Sequence, residues 1–175
     1  GNILSEGYHQ KYGENHAERN AILNCNKDLK GSTLYVNLEP CSHFGKTPPC
    51  ADLIIEKGIK KVVCAMSDPN PIVSGNGFKK LKNAGIEVVT GILEDEAKEL
   101  NKVFIKNITK KKPYVLIKTA TTLDSKIALS NGKSKWITDD YSRQIVHKLR
   151  SSYQARMTGS GTVLADNPNL TARIK

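Results

Sequence analysis

The stretch Leu38-Glu39-Pro40-Cys41-Ser42-His43-Phe44-Gly45-Lys46-Thr47-Pro48-Pro49-Cys50 decides the reading of this chain. It links a strand-like apolar run, Thr33 to Leu38, to a helical face carrying Cys50, Leu53 and Ile54 and stopping at Gly58. Pro49 suits the first turn of that helix, where a missing N–H costs nothing. Upstream, His16-Ala17-Glu18 opens a second helical pattern, with Ala17, Ala21, Ile22 and Cys25 at helical spacing and Asn15 as a candidate cap. His16, Cys41 and Cys50 thus sit at the ends of consecutive elements. One imidazole and two thiols form a zinc ligand set of suitable softness. Three ligands leave a fourth position for water, whose proton the metal makes easier to lose. The helix dipole favours thiolate at Cys50. Glu18 is free of the ligand set and placed to carry a proton.

Less eventful readings exist for each residue. Asn15 and Glu18 could form a capping pair, and Cys41 and Cys50 could be small buried hydrophobes. Their coincidence with Pro40, Pro49 and the strand-to-helix order is what packing does not explain. Cys25 lies on a helix face and Cys64 in an apolar run, and both read as structural. His-x-Glu followed by Pro-Cys-x-x-Cys is the pattern of zinc-dependent nucleobase deaminases. Here eight residues, Ser42 to Pro49, separate the two cysteines, which departs from that spacing.

Outward from this centre, helices and strands alternate. Lys61 to Met66 is a short apolar strand, and Asp68-Pro69-Asn70-Pro71 a loop that its prolines keep irregular. Gly77 to Ala84 predicts a basic helix, Ile86 to Ile92 a third strand and Glu94 to Ile108 a long helix. Asn2 to His9 is a candidate edge strand. Connections too long for hairpins imply a mostly parallel sheet covered by helices. Lys110-Lys111-Lys112-Pro113 reads as a boundary. Beyond it Tyr114 to Ala120 predicts a strand, Asp139 to Arg150 a helix and Met157 to Thr162 a glycine-punctuated segment. These are too few elements to close a core.

Composition narrows the class. The 175 residues carry 27 Lys+Arg against 17 Asp+Glu, a net charge of +10 that favours anionic partners such as phosphorylated metabolites. Much of it reads as solvated helix faces, and no basic-aromatic run suggests nucleic acid. No stretch approaches the roughly 18–20 apolar residues of a membrane span, and no secretory leader is visible. Four cysteines could form two disulfides in a secreted protein. A reduced, cytoplasmic setting with metal-binding thiols is the expectation. The chain starts at Gly1, so it is expected to begin inside a longer protein.

With Gly7-Tyr8-His9 and the Asp68 to Pro71 loop added, the motifs resemble the bifunctional riboflavin-biosynthesis deaminase/reductase family, in which the long spacer between the cysteines is usual. The second part resembles it too, through Lys118, Thr122-Leu123-Asp124, Ser134-Lys135-Trp136-Ile137-Thr138 and Gly161 to Pro168. The resemblance implies an α/β protein: a cytidine-deaminase-like three-layer α/β/α domain over 1–110, then the start of a dihydrofolate-reductase-like domain over 111–175. It implies zinc-dependent release of ammonia from 2,5-diamino-6-(5-phosphoribosylamino)pyrimidin-4-one, followed by NADPH-dependent reduction of the ribosyl group. His9, His43, Lys46, Asp68 and Asn70 would line the deaminase pocket. Ser134, Arg150, Leu170 and Arg173 would meet the reductase substrate, and Ala120, Trp136, Thr162 and Asp166 the NADPH. The family's first helix, Pro-Asn-Pro motif and first strand have no counterpart here, nor does most of the reductase. Reductase turnover is therefore not expected from this chain. Related enzymes often associate, so the resemblance leaves room for a homo-oligomer. The alternatives are another deaminase of the same fold acting on transfer-RNA adenosine or a free nucleoside, and a non-catalytic zinc module in which His43 closes the coordination.

Overall fold

The computed structural model describes residues 1–71 and 73–174. They divide into two compact units, Gly1–Val115 and Leu116–Lys175.

The first unit is built on three parallel strands in the order β1 (Thr33–Leu38), β2 (Lys61–Met66), β3 (Glu87–Thr90). Parallel pairing requires crossovers. These are α2 (Cys50–Glu56) between β1 and β2, and α3 (Asn76–Asn83) between β2 and β3. Leu34 pairs with Val62, Val36 with Cys64 and Leu38 with Met66, so alternate residues of β1 and β2 share one face. On that face Val62 and Cys64 are fully buried, and Ile54 and Leu81 of the crossover helices close over the sheet. Burial of a branched aliphatic side chain such as these is worth about 1.5–3 kcal/mol. α1 (Ala17–Leu23) adds Ile22 to the same cluster. Two further helices, α4 (Glu94–Leu100) and α5 (Lys102–Lys110), follow β3.

The expected helix over Glu94 to Ile108 is divided at Asn101. There the backbone leaves helical geometry (φ −96°, ψ 9°) and the side-chain amide donates to the Ala97 carbonyl. The third strand is shorter than the apolar run, because β3 pairs with β2 only from Glu87 to Thr90. Asn2 to His9 is not a strand, since the segment lies along α1 rather than against the sheet. His16, not Asn15, is the N-cap of α1, and it makes no side-chain capping bond.

The second unit holds α6 (Asp140–Ser152) and α7 (Ser160–Asp166). Asp139 caps α6 by accepting the Ser142 N–H at 2.8 Å. Tyr114 to Ala120, expected as a strand, is extended without ladder partners among the described residues. The glycine-punctuated segment Met157 to Thr162 runs into the first turn of α7. No described residue of this unit is buried.

Candidate metal centre and active site

Parallel strands deliver their C-terminal ends, and the crossover helices their N-terminal ends, to the same edge of the sheet. β1 delivers Cys41 there, α2 begins with Cys50, and α1 begins beside His16. The imidazole Nδ1 lies 3.5 Å from each thiol sulfur. All three donor atoms fall within 4.8 Å of one another. Zn–N and Zn–S bonds at a tetrahedral angle put two donors about 3.6 Å apart, so the spacing fits that metal. The start of α2 wraps Cys41: its sulfur accepts the Cys50 N–H at 3.3 Å and its carbonyl the Ala51 N–H at 3.0 Å. Cys25 and Cys64 stay outside the cluster as free thiols. Burial pushes the Cys64 thiol up to about 12, so it remains protonated.

The centre shares its protons unevenly. A hydrogen bond from Cys50 holds the Cys41 thiol low, with His16 and the Cys50 N–H adding to the effect. The same bond and burial push Cys50 up. His16 is raised by its bond to Cys41. A divalent cation would displace the remaining proton and make both sulfurs thiolates. Glu18 is buried in the first turn of α1, outside the donor set and beside the Cys50 thiol. Burial raises its carboxyl above the usual carboxylate range, which suits a group that must both take and give a proton.

Two families are recognised along the chain: the cytidine and deoxycytidylate deaminase zinc-binding region over residues 1–66, and the RibD C-terminal domain over 113–175. The riboflavin biosynthesis protein RibD of Actinobacillus pleuropneumoniae is 55% identical over 174 residues, covering 99% of this chain and 46% of that protein. RibD of Aquifex aeolicus is 53% identical over 174 residues, 99% of this chain and 49% of its own length. The crystal structure of a diaminohydroxyphosphoribosylaminopyrimidine deaminase/5-amino-6-(5-phosphoribosylamino)uracil reductase from Thermotoga maritima superposes with a TM-score of 0.93. It is 55% identical, and the match covers 98% of this chain and 50% of that one. Over nearly its whole length the chain is similar to these RibD proteins. It spans about half the length of the RibD proteins it matches. Its first unit has the cytidine-deaminase-like α/β fold.

The residues expected from the RibD resemblance fall into two groups. Near the triad, the His9 ring stands edge-on to His16 at 5.7 Å, its Nδ1 3.0 Å from the Asn15 carbonyl. Gly7 makes this possible: a Cβ there would meet Ala21 N at 2.3 Å and Ala17 O at 2.5 Å, so only glycine lets the segment lie on α1. The Asn20 side-chain amide donates to the Tyr8 carbonyl and fastens it. Asp68 is buried, and its Oδ1 accepts the Asn70 N–H at 2.8 Å. Burial and the Glu39 carboxylate push Asp68 up against the pull of that N–H and of His43. His43 is exposed and is not gathered into the donor set. Lys46 is exposed too, its Nζ over the Tyr12 ring at 4.2 Å.

In the second unit, Arg150 Nη1 donates to the Thr171 carbonyl at 3.4 Å, and the Arg173 N–H to His147 Nδ1 at 3.2 Å. Arg150 and the Leu170–Arg173 segment therefore meet on α6. Trp136 lies under the Arg143 guanidinium at 4.3 Å. Thr162 and Asp166 are exposed on α7, and Ser134 and Ala120 lie outside helices and strands.

Proposed function

We propose that the chain is the zinc-dependent deaminase part of a riboflavin-biosynthesis protein together with the start of its NADPH-dependent reductase. One observation carries this reading: His16 Nδ1, Cys41 Sγ and Cys50 Sγ converge beside a buried Glu18 that is not one of the donors. His16, Cys41 and Cys50 would hold the metal, and a zinc ion there would supply Lewis acidity to a reacting water.

The reaction is hydrolysis at the amino-bearing carbon of the diaminopyrimidine. A water oxygen bonds to that carbon, the C–N bond breaks and ammonia leaves. Glu18 accepts one proton from the water and passes it to the neighbouring ring nitrogen; it then takes the remaining hydroxyl proton as the carbonyl forms and gives it to the departing amine, which leaves as ammonia. Its raised affinity for a proton matches both halves of this task. Asp68 and Asn70 would read polar edges of the substrate, and His9, His43 and Lys46 would supply donors and positive charge to the ring and the phosphoribosyl group.

Residues 1–110 would form the deaminase domain and 111–175 the first part of the reductase. Arg150 and Arg173 suit a phosphate, which a guanidinium binds bidentately, with Ser134 and Leu170 beside the substrate. Ala120, Trp136, Thr162 and Asp166 would meet NADPH. The thiol ligand set favours a reducing, cytoplasmic setting, and no helix of the described residues is long and apolar enough to cross a membrane.

The test is metal content beside ammonia release from the diaminopyrimidine phosphate. About one zinc per chain with ammonia release supports the reading. Turnover of transfer RNA instead would move the assignment to another deaminase, and a folded, reduced, metal-free chain would refute it.

A further inference from the structure

Glu39 is a buried carboxylate with no place in the chemistry above, 3% exposed and two residues before Cys41. It faces a cage of backbone donors. One oxygen accepts the N–H of Asp68 at 3.2 Å and of Gly75 at 3.0 Å; the other accepts those of Gly77 at 2.9 Å and Phe78 at 3.3 Å. The first turn of a helix needs acceptors for its N–H groups, normally from the N-cap side chain. The N-cap of α3 is Gly75, which has none. Glu39, 36 residues upstream, fills that place for α3 and with the same carboxylate holds the backbone of Asp68. Such charge-assisted bonds are the strong kind, and a buried carboxylate needs them.

A second observation is independent of charge. A Cβ on Gly77 would stand 2.0 Å from the Pro40 carbonyl, so the start of α3 is pressed directly against the residue preceding Cys41. Glu39 and Pro40 thus join the strand that carries a metal ligand to the segment that carries Asp68 and Asn70.

We propose that Glu39 is a positioning residue: by binding the N–H groups of Asp68, Gly75, Gly77 and Phe78 it fixes the substrate-reading Asp68 relative to the metal centre. This rests on the deaminase reading for the role of Asp68, and on geometry alone for the clamp. Glutamine in its place offers one carbonyl where two carboxylate oxygens are used, and turns an NH2 toward N–H donors. The segment is then released while the three metal donors are untouched.

The experiment is amide hydrogen exchange on the zinc-loaded chain, with KM and kcat for ammonia release, for the parent, Glu39→Gln and Gly77→Ala. In the parent, the four amides exchange slowly and at one common rate. In Glu39→Gln their exchange quickens at least about tenfold while β2 amides hold. Zinc content is retained, and KM for the diaminopyrimidine phosphate rises about tenfold with kcat nearly constant. A residue that merely adds stability would leave KM of the folded enzyme alone. Gly77→Ala, which displaces the Pro40 carbonyl with no change of charge, is expected to raise KM in the same sense. Unprotected or independently exchanging amides in the parent, which needs no variant to fold, would overturn the proposal. So would an unchanged KM in a folded variant. A parent chain that releases no ammonia counts against the deaminase reading, while the exchange rates still decide whether Glu39 holds the segment.

Discussion

Glu18 and Asp68 are both buried acids with raised proton affinity, yet they sit in different surroundings. Glu18 adjoins the Cys50 thiol, whereas Asp68 Oδ1 is satisfied by the Asn70 N–H. Replacing Glu18 by Gln keeps the shape and the three candidate metal donors but removes the carboxylate proposed to carry the proton. Ammonia release is expected to fall about 10²–10⁴-fold with zinc content unchanged, read by coupled ammonia assay and elemental analysis. Loss of zinc in this variant would instead make Glu18 a ligand. Asp68 gives a prediction with a definite sign. Burial lifts its carboxyl, so it takes up a proton at a higher pH than an ordinary aspartate. If the ionised form binds substrate, KM climbs as pH drops into that range. Asp68→Asn should show a high KM that is flat across the same range. The folded state also holds this proton more tightly than the unfolded chain does. The stability contributed by the group is therefore present at low pH and lost as pH rises through the raised value. At neutral pH the Asn variant, which can still accept the Asn70 N–H, should resist urea at least as well as the parent.

At the scale of elements, α3 joins core and site. Leu81 is fully buried on its inner face. Leu81→Ala should cost about 2–5 kcal/mol in urea unfolding. Leu100→Ala, at a side chain 70% exposed at the end of α4, should change stability by no more than about 0.5 kcal/mol. Equal effects would contradict the placement of the core. The elements around this core were legible in the sequence because apolar period and length determine them. β1 and β2 have the ends their apolar runs suggest, and Asp139 announces the start of α6. The break at Asn101 was not legible, since the apolar positions continue through it and only a local amide-to-carbonyl bond interrupts the helix. Tyr114 to Ala120 has the composition of a strand, but composition does not supply a neighbour to pair with. The three candidate donors that converge were legible because their chemistry is written in residue type and spacing. The role of Glu39 was not, because its partners are backbone N–H groups, which no residue type reveals.

For the whole molecule, the two units differ in what holds them. The first has an apolar cluster and a ligand set at the edge of its sheet. In the second no described residue is buried, and side chains such as Ile117, Leu123 and Trp136 stand open to solvent. Exposed backbone with few apolar contacts opens at little cost in free energy. Trypsin, which needs an accessible Lys or Arg in an openable segment, should therefore cut among residues 116–174 first and leave a fragment beginning at Gly1 and ending near the Lys110–Lys112 run. Trp136 is the chain's one tryptophan. Its emission should be that of a solvated indole, and it should report no cooperative transition in urea. For the first unit a bound metal would add to the apolar core. Zinc bound to the folded triad and not to the unfolded chain stabilises it by about 2.7 kcal/mol when free zinc stands a hundredfold above its Kd. A chelator should therefore open Gly1–Val115 to trypsin under conditions where the zinc-loaded fragment survives. Replacing Cys41 by Ser should make that fragment as sensitive as chelation does, with no further effect of the chelator. A fragment equally resistant with and without zinc would show that His16, Cys41 and Cys50 do not hold a stabilising metal.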